Sequence, residues 1–390
     1  MRIHSYVSRI RRIIPPGFEV QVASARRRIA RTGVGDQMKL SFYIRRLARA
    51  ACCFLLFSVV SLPASAAEGY HLLNTYKFGA APDATREYFD YIFVDSTARR
   101  VYVSHGTEIL VLDADSGKEI GKITGLKLDH GVAVAHEFNR GFVTDGQQGK
   151  AILFDLKTLK VTGEAKADQD ADGVIYDPAT KRVFVMNGDP SSTTVIDAKR
   201  GEVVKTVPLG GSPEFAVADG KGVVYINLAD KNEIAVLGSK TLEVKSRWPV
   251  APEGRPTAMA MDIAHRRLFS AGRNPQYLIV MDADNGKVVQ SFSISAGVDA
   301  DAFDPETGLV FASTIEGRLH IFHEDSPDKF SEVETLNTEF GAKTMGLDTR
   351  THRVWVDTAD FSPAPAATAG QPRPRRSAIQ GTFRVMVYGK

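Results

Sequence analysis

The chain has 390 residues and a formal net charge of +3, but this charge is unevenly distributed. Residues 1–66 carry twelve basic and two acidic side chains, so residues 67–390 carry a net charge of −7. This acidic balance argues against sequence-independent nucleic-acid binding through a basic face. Both cysteines, Cys52 and Cys53, lie in the first 66 residues, which excludes disulfides and thiolate metal sites from residues 67–390.

The N-terminal region divides into two parts. Residues 38–66 have the pattern of a secretory signal peptide, with a basic start, an apolar run from Ala50 to Leu62 and the small-residue cleavage site Ala64-Ser65-Ala66. We therefore expect a periplasmic or secreted protein with no stable membrane insertion after signal cleavage. Because a signal peptide needs a free N-terminus, we interpret residues 1–37 as a start-site extension, with a disordered basic arm as the alternative.

Residues 67–390 contain a strand pattern that repeats seven times. Its aromatic anchors are 40, 42, 41, 44, 42 and 44 positions apart. They are Tyr102, Phe142, Phe184, Tyr225, Phe269, Phe311 and Trp355. A period near forty with several strands per unit is typical of a β-propeller. The sequence thus predicts an all-β fold, a seven-bladed β-propeller with four-stranded antiparallel blades.

Alternating apolar residues and turn residues divide each unit into four strands. The first unit gives strands at 91–94, 100–104, 109–113 and 119–125. The third gives strands at 173–176, 182–186, 193–197 and 203–209. In the last unit only three strands are found, at 344–347, 353–357 and 382–388, whereas residues 71–78 form a strand with nothing before it. We predict that this N-terminal strand joins the last blade as its outer edge and closes the ring.

One insertion interrupts the repeat. Residues 362–380, between the second and third strands of the last blade, are rich in Pro and Ala and include Arg373, Arg375 and Arg376. A flexible surface loop is one interpretation. A lid is the other, because this loop joins strands on the face where the central channel opens.

The repeat resembles a known family. The segments from Asp177 to Asn187 (DPATKRVFVMN) and from Val195 to Val204 (VIDAKRGEVV) are similar to the YVTN β-propeller repeat of exported, YncE-like bacterial proteins. The resemblance covers nearly all of residues 70–390 and implies a propeller fold and export. Most members have no assigned activity, and one relative is associated with DNA binding. The wider propeller neighbourhood includes haem- and quinone-linked subunits, streptogramin lyases and gluconolactonases.

Equivalent positions at the starts of the first strands predict a polar ring at one end of the channel. The ring consists of Asp90, His130, Asp172, Glu214, Thr257, Asp299 and Lys343. Like charges about 7 Å apart repel by roughly 2 kcal/mol at an effective dielectric near 20, so four carboxylates need protonation, Lys343 or a bound cation. The predicted metal ligands are Asp90, His130, Asp172, Glu214 and Asp299, a donor set suited to calcium, magnesium, manganese or zinc. A purely structural ring, with acids that accept backbone hydrogen bonds, is the alternative.

The ends of the second strands are predicted to reach the same face. They carry His105, Asp145, Asn187, Asn227, Arg273 and Asp357. With the ring, Asn187, Asn227, Arg255 and Arg273 would complete a ligand-binding basin in which Arg255, Arg273 and Lys343 grip a carboxylate or phosphate. His130 and His105 are the candidates for a general base in a cation-assisted reaction. For His130, a hydrogen-bonded structural histidine is the alternative.

Three functions fit this sequence. The favoured one is an exported binding or scaffold protein, a monomer that holds a small ligand, a cation or another exported protein at the channel mouth. The second is a metal-dependent hydrolase or lyase of the lactonase kind, with its site at the same mouth. The third is a redox-partner subunit that docks a cytochrome or quinoprotein. No CxxCH motif is present, so a covalent c-type haem is not expected.

Overall fold

The computed structural model describes residues 69–252, 254–366 and 374–390, and these residues are almost entirely β-strand. The predicted extension at residues 1–37 and the signal peptide at residues 38–66 lie outside this range. Apart from one turn of 3-10 helix at His136–Phe138, the described backbone contains strands and turns. None of the described helical segments is long and apolar enough to cross a membrane.

The strands form seven four-stranded antiparallel sheets. Blade 1 contains β2 (Ile92–Asp95), β3 (Arg100–Ser104), β4 (Glu108–Asp113) and β5 (Glu119–Thr124). Blade 2 contains β6 (Asp129–Ala135), β7 (Arg140–Asp145), β8 (Lys150–Asp155) and β9 (Val161–Lys166). Blade 3 contains β10 (Ala171–Asp177), β11 (Arg182–Asn187), β12 (Ser192–Asp197) and β13 (Glu202–Pro208). Blade 4 contains β14 (Pro213–Ala218), β15 (Val223–Leu228), β16 (Glu233–Gly238) and β17 (Val244–Pro249).

The remaining blades complete the ring. Blade 5 contains β18 (Pro256–Asp262), β19 (Arg267–Arg273), β20 (Gln276–Asp282) and β21 (Val288–Ser293). Blade 6 contains β22 (Val298–Asp304), β23 (Leu309–Thr314), β24 (Arg318–Ser326) and β25 (Lys329–Asn337). Blade 7 contains β26 (Met345–Asp348), β27 (Arg353–Thr358), β28 (Arg384–Gly389) and the N-terminal β1 (His71–Lys77). The innermost strands contact one another in sequence, and β26 contacts β2, so the predicted seven-bladed propeller is confirmed.

The ring closes through β1. It pairs antiparallel with β28 at the outer edge of blade 7, with Thr75 opposite Met386 and Tyr76 opposite Val385. The predicted N-terminal closure is therefore confirmed. Each strand predicted in the first, third and last units lies within two residues of its observed bounds.

Side-chain capped turns connect the first and second strands of the blades. In blade 3 the carboxylate of Asp177 accepts hydrogen bonds from the N–H of Ala179 (3.0 Å) and the hydroxyl of Thr180 (2.7 Å). Asp residues favour such turns because the short carboxylate reaches the backbone two and three residues ahead. These turns lie at the far end of the first strands, on the face opposite the polar ring.

The core lies between neighbouring blades. All seven aromatic anchors are buried, and Tyr102 of blade 1 packs against Phe154 of blade 2 with ring centroids 5.8 Å apart. Because β-branched and aromatic side chains alternate along the second and third strands, each blade presents an apolar face to both neighbours. This packing holds the innermost strands, and hence the ring residues, in a fixed circle.

The described ends of the insertion at residues 362–380 pack on the ring face. Phe361 forms an isolated bridge with Ala378, and its side chain packs edge-on against Phe89 and Phe340. The amide side chain of Gln380 donates a hydrogen bond to the carbonyl of Ala84 (2.7 Å). These contacts join the base of the insertion to the segment that leads into blade 1. Residues 367–373 lie outside the described range.

Candidate functional site

Five of the seven ring residues are the second residue of their innermost strand, and Asp90 and Lys343 lie two residues before theirs. Hydroxyl groups of the preceding blade help to position them. Thr144 donates to the carbonyl oxygen of Asp172 (2.5 Å), and Ser313 donates to that of Lys343 (2.6 Å). At these two ring positions the main chain is thus hydrogen-bonded to the preceding blade. These bonds fix the points from which the Asp172 and Lys343 side chains extend.

The positive charges gather on one side of the ring. Lys343 forms ion pairs with Asp299 and with Asp90, its Nζ lying 3.3 Å from Asp90 Oδ1. Arg273 also pairs with Asp299 and donates from Nε to the carbonyl of Val298 (3.0 Å). The Asp299 carboxylate is therefore paired with two cations, whereas Asp172 is paired with none besides His130 among the described residues.

On the other side, three potential ligands converge. Nδ1 of His130 lies 2.7 Å from Asp90 Oδ2 and 3.3 Å from Asp172 Oδ1. One ligand atom from each of these three residues lies within 4.8 Å of the others. Tyr88 borders the cluster, with its hydroxyl 3.1 Å from His130 Nδ1 and 3.3 Å from Asp90 Oδ2. The geometry matches a mixed imidazole and carboxylate donor set.

The carboxylate oxygens that face His130 Nδ1 outnumber the hydrogen that this nitrogen can donate. An imidazole Nδ1 carries at most one hydrogen, and the closer Asp90 oxygen takes it. Oδ1 of Asp172 and Nε2 of His130 are buried and have no hydrogen-bond partner among the described residues. Buried polar atoms without partners are uncommon because each costs desolvation free energy. A cation placed among His130 Nδ1 and the two carboxylates would supply the missing interaction of Asp172 Oδ1.

The ionisation of the cluster follows from its surroundings. Burial raises the pKa of Asp172 to about 7, an effect that His130 opposes and that Asp90 and Glu214 reinforce. Burial disfavours the charged form of His130, but Asp172 and Asp90 outweigh this and raise its pKa to about 9. For Asp90, the Lys343 and His130 cations overcome burial and hold the pKa well below its usual range. Of the two carboxyl groups in the cluster, Asp172 is thus the one whose burial is less offset by neighbouring positive charge.

Three predicted ligand-binding residues lie around this cluster without joining it. Burial raises the pKa of Glu214, although Arg273 and Arg255 oppose the shift. Arg255 is exposed. The Thr257 hydroxyl is buried and donates to the carbonyl of Arg255 (3.0 Å). Glu214 and the two arginines can contribute charge near the mouth, whereas Thr257 stabilises its own loop.

The second-strand residues mostly serve the blades. Asn187 is buried and donates its amide to Ser192 (3.0 Å) and Thr194 (3.1 Å). Asn227 is buried and donates to the carbonyl of Ala258 (2.8 Å). These bonds give both amides a structural role, so we leave them out of the proposed site. Asp145 and Asp357 are likewise buried.

His105 also lies inside the protein. Its side chain is 1% exposed, and its Nε2 pairs with Glu87 at 2.9 Å. The imidazole of His105 stacks on the phenyl ring of Phe383, with ring centroids 4.3 Å apart. Burial lowers the pKa of His105, but Glu108 and Glu87 outweigh this and raise it. A histidine held in this way stabilises the junction of blades 1 and 7 and has no surface that a substrate could reach.

A cavity of about 520 Å³ lies directly beyond the ring. Four of its lining residues immediately follow ring residues in the sequence. They are Tyr91, Gly131, Phe215 and Ala300. Deeper in the channel the walls are mostly apolar, with Val132, Val174, Met259 and Met345. Behind the polar rim, Tyr91 and Phe215 pack against each other across the channel, with ring centroids 5.4 Å apart, and the apolar cavity extends to Pro178 and Ile263 near the opposite face.

Two residues that contact the predicted histidines could not be found from the sequence. Tyr88 touches His130, and Glu87 pairs with His105. Both belong to residues 79–89, a link between β1 and blade 1 that is longer than the link between blades 1 and 2. Comparison of repeat positions therefore could not find them. Their closeness in sequence to Asp90 was the only available signal.

Comparisons with curated proteins give a partial likeness. No family model matches the chain. The chain is 26% identical over 149 residues to a protein of Salmonella typhi named uncharacterized protein YncE, a match that covers 36% of this chain and 41% of that protein. The protein of the same name from Salmonella typhimurium strain LT2 is 25% identical over the same shares of each chain. The chain thus spans about two fifths of the length of the curated relatives it matches.

Comparisons with solved structures support the fold. Kuenenia stuttgartiensis hydrazine synthase superposes with a TM-score of 0.61 at 12% identity, over 71% of this chain and 96% of that chain. The structure of U3-55K superposes with a TM-score of 0.64 at 8% identity, over 81% of this chain and 98% of that chain. At such low identity the likeness concerns the propeller fold and carries no information about ligands.

Proposed function

We propose that this protein is an exported binding protein whose propeller holds a divalent cation at the channel mouth through Asp90, His130 and Asp172. The observation that carries the proposal is the convergence of these three ligands, together with the buried Asp172 oxygen that lacks a donor. An imidazole and two carboxylates suit zinc or manganese better than calcium, which prefers oxygen ligands alone. We leave Asp299, a ligand predicted from sequence, out of this set because it already pairs with Arg273 and Lys343.

The cation would serve as an anchor for a small ligand. With three protein ligands, a tetrahedral zinc ion retains one position for water or a ligand atom. The cavity of about 520 Å³ would offer apolar walls, beginning with the rings of Tyr91 and Phe215, to the rest of such a ligand. Arg273 and Lys343 add positive charge on the opposite side of the mouth. An anionic group on an otherwise apolar molecule is the ligand chemistry that fits both parts.

Binding is better supported than catalysis. A metal-dependent hydrolase or lyase would use the same cation but also needs a positioned acid or base. His105, one candidate, is buried and bonded to Glu87. His130, the other candidate, is one of the three cation ligands in the proposed site. These assignments give both candidate histidines other roles, so binding is the better supported of the two functions.

The wider setting of the proposal comes from the sequence. The signal-peptide pattern at residues 38–66 supports export to the periplasm or beyond. The partial likeness to YncE supports membership of the exported YVTN propeller group. The net charge of −7 in residues 67–390 supports a small ligand or another exported protein, rather than nucleic acid, as the partner. We include a monomeric state in the proposal because the ring is closed by its own N-terminal strand.

Metal analysis tests the proposal. Purified protein is stripped with a chelator, dialysed against zinc, manganese, calcium or magnesium, and measured by inductively coupled plasma mass spectrometry. We expect Asp172→Asn to lose about one equivalent of zinc relative to the unmodified protein, because it replaces a ligating carboxylate with a neutral amide. Glu214→Gln is the matched control, since it removes a ring carboxylate outside the cluster and should retain that equivalent.

The outcomes separate a specific site from a general effect of acidic charge. Loss of metal in Asp172→Asn alone supports the three-residue site. Equal loss in both variants would mean that the ring attracts cations only diffusely. Unchanged zinc in Asp172→Asn would contradict the proposal and leave the ring as a structural ion-pair network.

A further inference from the structure

A buried carboxylate in blade 6 departs from the repeat. In blades 1 to 5, the residue that directly follows the third strand is small or apolar and is buried. These are Ala114, Leu156, Ala198, Ser239 and Ala283. Glu324 occupies the same position, since its N–H bonds to the carbonyl of Gly308 (2.8 Å) just as that of Ala283 bonds to Arg266 (3.0 Å). Its side chain is only 4% exposed.

A histidine in the neighbouring blade 5 departs from the repeat as well. In three blades a threonine three residues after the turn aspartate donates its hydroxyl to that carboxylate. The pairs are Thr180 with Asp177, Thr307 with Asp304 and Thr351 with Asp348. In blade 5 this position is His265, and its Nδ1 lies 2.7 Å from Asp262 Oδ2. Asp262 ends the first strand of its blade, so this turn lies on the face opposite the channel mouth.

The two residues that differ from the repeat, His265 and Glu324, are in contact. Nδ1 of His265 lies 2.8 Å from Glu324 Oε1 as well as 2.7 Å from Asp262 Oδ2, and the three ligand atoms lie within 4.8 Å of one another. One ring nitrogen carries at most one proton and cannot satisfy both carboxylates. Within the described ranges, the Glu324 carboxylate contacts His265 and the carboxyl group of Asp262, so the two acidic groups face each other beside one imidazole. The buried carboxylate of Glu324 therefore points at the same position as the side chains of Asp262 and His265.

The surrounding contacts hold this geometry. The N–H groups of Ala264 and His265 donate to Oδ1 and Oδ2 of Asp262 (2.9 and 3.2 Å) and orient the carboxylate. Arg267 donates to the carbonyl of Pro327 (2.6 Å) and to Asp328 Oδ1 (2.7 Å), at the tip of the β24–β25 hairpin. Each strand of this hairpin has nine residues. Blade 6 thus reaches across to blade 5 and brings Glu324 to His265.

We propose that Asp262, His265 and Glu324 form a second divalent-cation site, suited to zinc, which joins the blade 6 hairpin to blade 5. Imidazole nitrogen and carboxylate oxygen are ordinary zinc ligands, and hydrogen bonds that orient ligating carboxylates are typical of such sites. The His265 side chain is 52% exposed, so the ion has a path from solvent and a free position for water. This site is independent of the channel mouth and lies on the opposite face.

The repeat itself supplies variants that should fold. His265→Thr and Glu324→Ala restore residues that other blades carry at these positions. Measured by zinc titration after chelator treatment, each should lose about one equivalent relative to its parent protein. The titration is repeated in the Asp172→Asn background, where the channel-mouth site is removed. His136→Thr is the control, because His136 is 47% exposed and, within the part of the chain that the structure describes, pairs with a single buried carboxylate, that of Asp95 at 3.1 Å.

A structural readout accompanies the titration. Zinc should slow backbone hydrogen exchange in residues 324–330 of the Asp172→Asn protein and leave it unchanged once Glu324→Ala is added. Loss of zinc from the His265 and Glu324 variants, but not from His136→Thr, supports the second site whatever happens at the mouth. Unchanged zinc binding in Glu324→Ala would overturn it, and would leave a protonated His265 that bridges two carboxylates. A loss in Asp172→Asn alone would support only the mouth.

Discussion

Lys343 sets the balance of charge at the channel mouth. Its ammonium group pairs with both Asp90 and Asp299, so it partly neutralises one of the three proposed cation ligands. Asp172, by contrast, has His130 as its only cationic partner at ion-pair distance in the described structure. A cation bound between Asp90 and Asp172 is therefore attracted by the carboxylates and repelled by Lys343. The same lysine stabilises the metal-free state.

Replacing this lysine should strengthen cation binding. In Lys343→Met the positive charge near the site is lost while the length of the side chain is kept, so we expect the dissociation constant for zinc at the mouth to fall about tenfold. Isothermal titration calorimetry in the Glu324→Ala background would measure it. Arg273→Met is the matched control, since Arg273 pairs with Asp299 and not with a proposed ligand. A constant that rises, or falls equally in both variants, would show that Lys343 does not compete with the cation.

At the level of single residues, the sequence predicted where a residue lies in the propeller better than it predicted which side chains that residue contacts. The period placed seven residues on one ring because equivalent residues in a propeller occupy equivalent places. It could not show that Asp299 turns towards Arg273 and Lys343, or that Asn187 turns into its own blade. Such choices depend on the reach of the side chain and on unrepeated neighbours such as Tyr88. The cation cluster therefore became visible only with atomic distances.

At the level of elements, β1 shows how the ring is closed. Tyr76 stacks on Trp355 of blade 7, with ring centroids 6.1 Å apart and planes inclined by 13°. Gly117 of blade 1 lies against the same tyrosine ring, where a Cβ would overlap it, and has a left-handed φ of 69°. The closing strand is thus held by blade 7 through its ladder and by blade 1 through Tyr76.

Removing this side chain should weaken the closure. We expect Tyr76→Ala to lower the free energy of unfolding by about 2 kcal/mol, because a half-buried aromatic ring loses its packing against Trp355 and Gly117. Urea denaturation followed by tryptophan fluorescence would measure the change. Leu72→Ala, in the same strand but 48% exposed, should have little effect. Equal destabilisation by both variants would indicate that β1 acts through its backbone alone.

The strands themselves were predictable because the repeat supplies seven independent examples of one pattern. Apolar alternation and turn residues located the strands, and the unpaired strand at residues 71–78 indicated the closure. The long β24–β25 hairpin was not foreseen, since its extra residues do not change the alternation. Its importance comes from Glu324, which is conspicuous only when the buried residues of all blades are compared.

At the level of the whole molecule, the propeller separates two proposed cation sites on opposite faces. The mouth site adjoins a mostly apolar cavity and is suited to ligand binding. The site at Asp262, His265 and Glu324 joins two blades and is suited to stabilising the ring. Because neighbouring blades share their cores, a cation that holds blade 6 to blade 5 should stabilise the frame on which the mouth depends.

Anomalous X-ray diffraction at the zinc absorption edge, from crystals of the protein grown with zinc, would show whether the proposed ion binds at the channel mouth. We expect a peak about 2.0–2.2 Å from one ligand atom each of Asp90, His130 and Asp172. An ordered mouth without such a peak, in which His130 bridges Asp90 and Asp172 through protons alone, would contradict it.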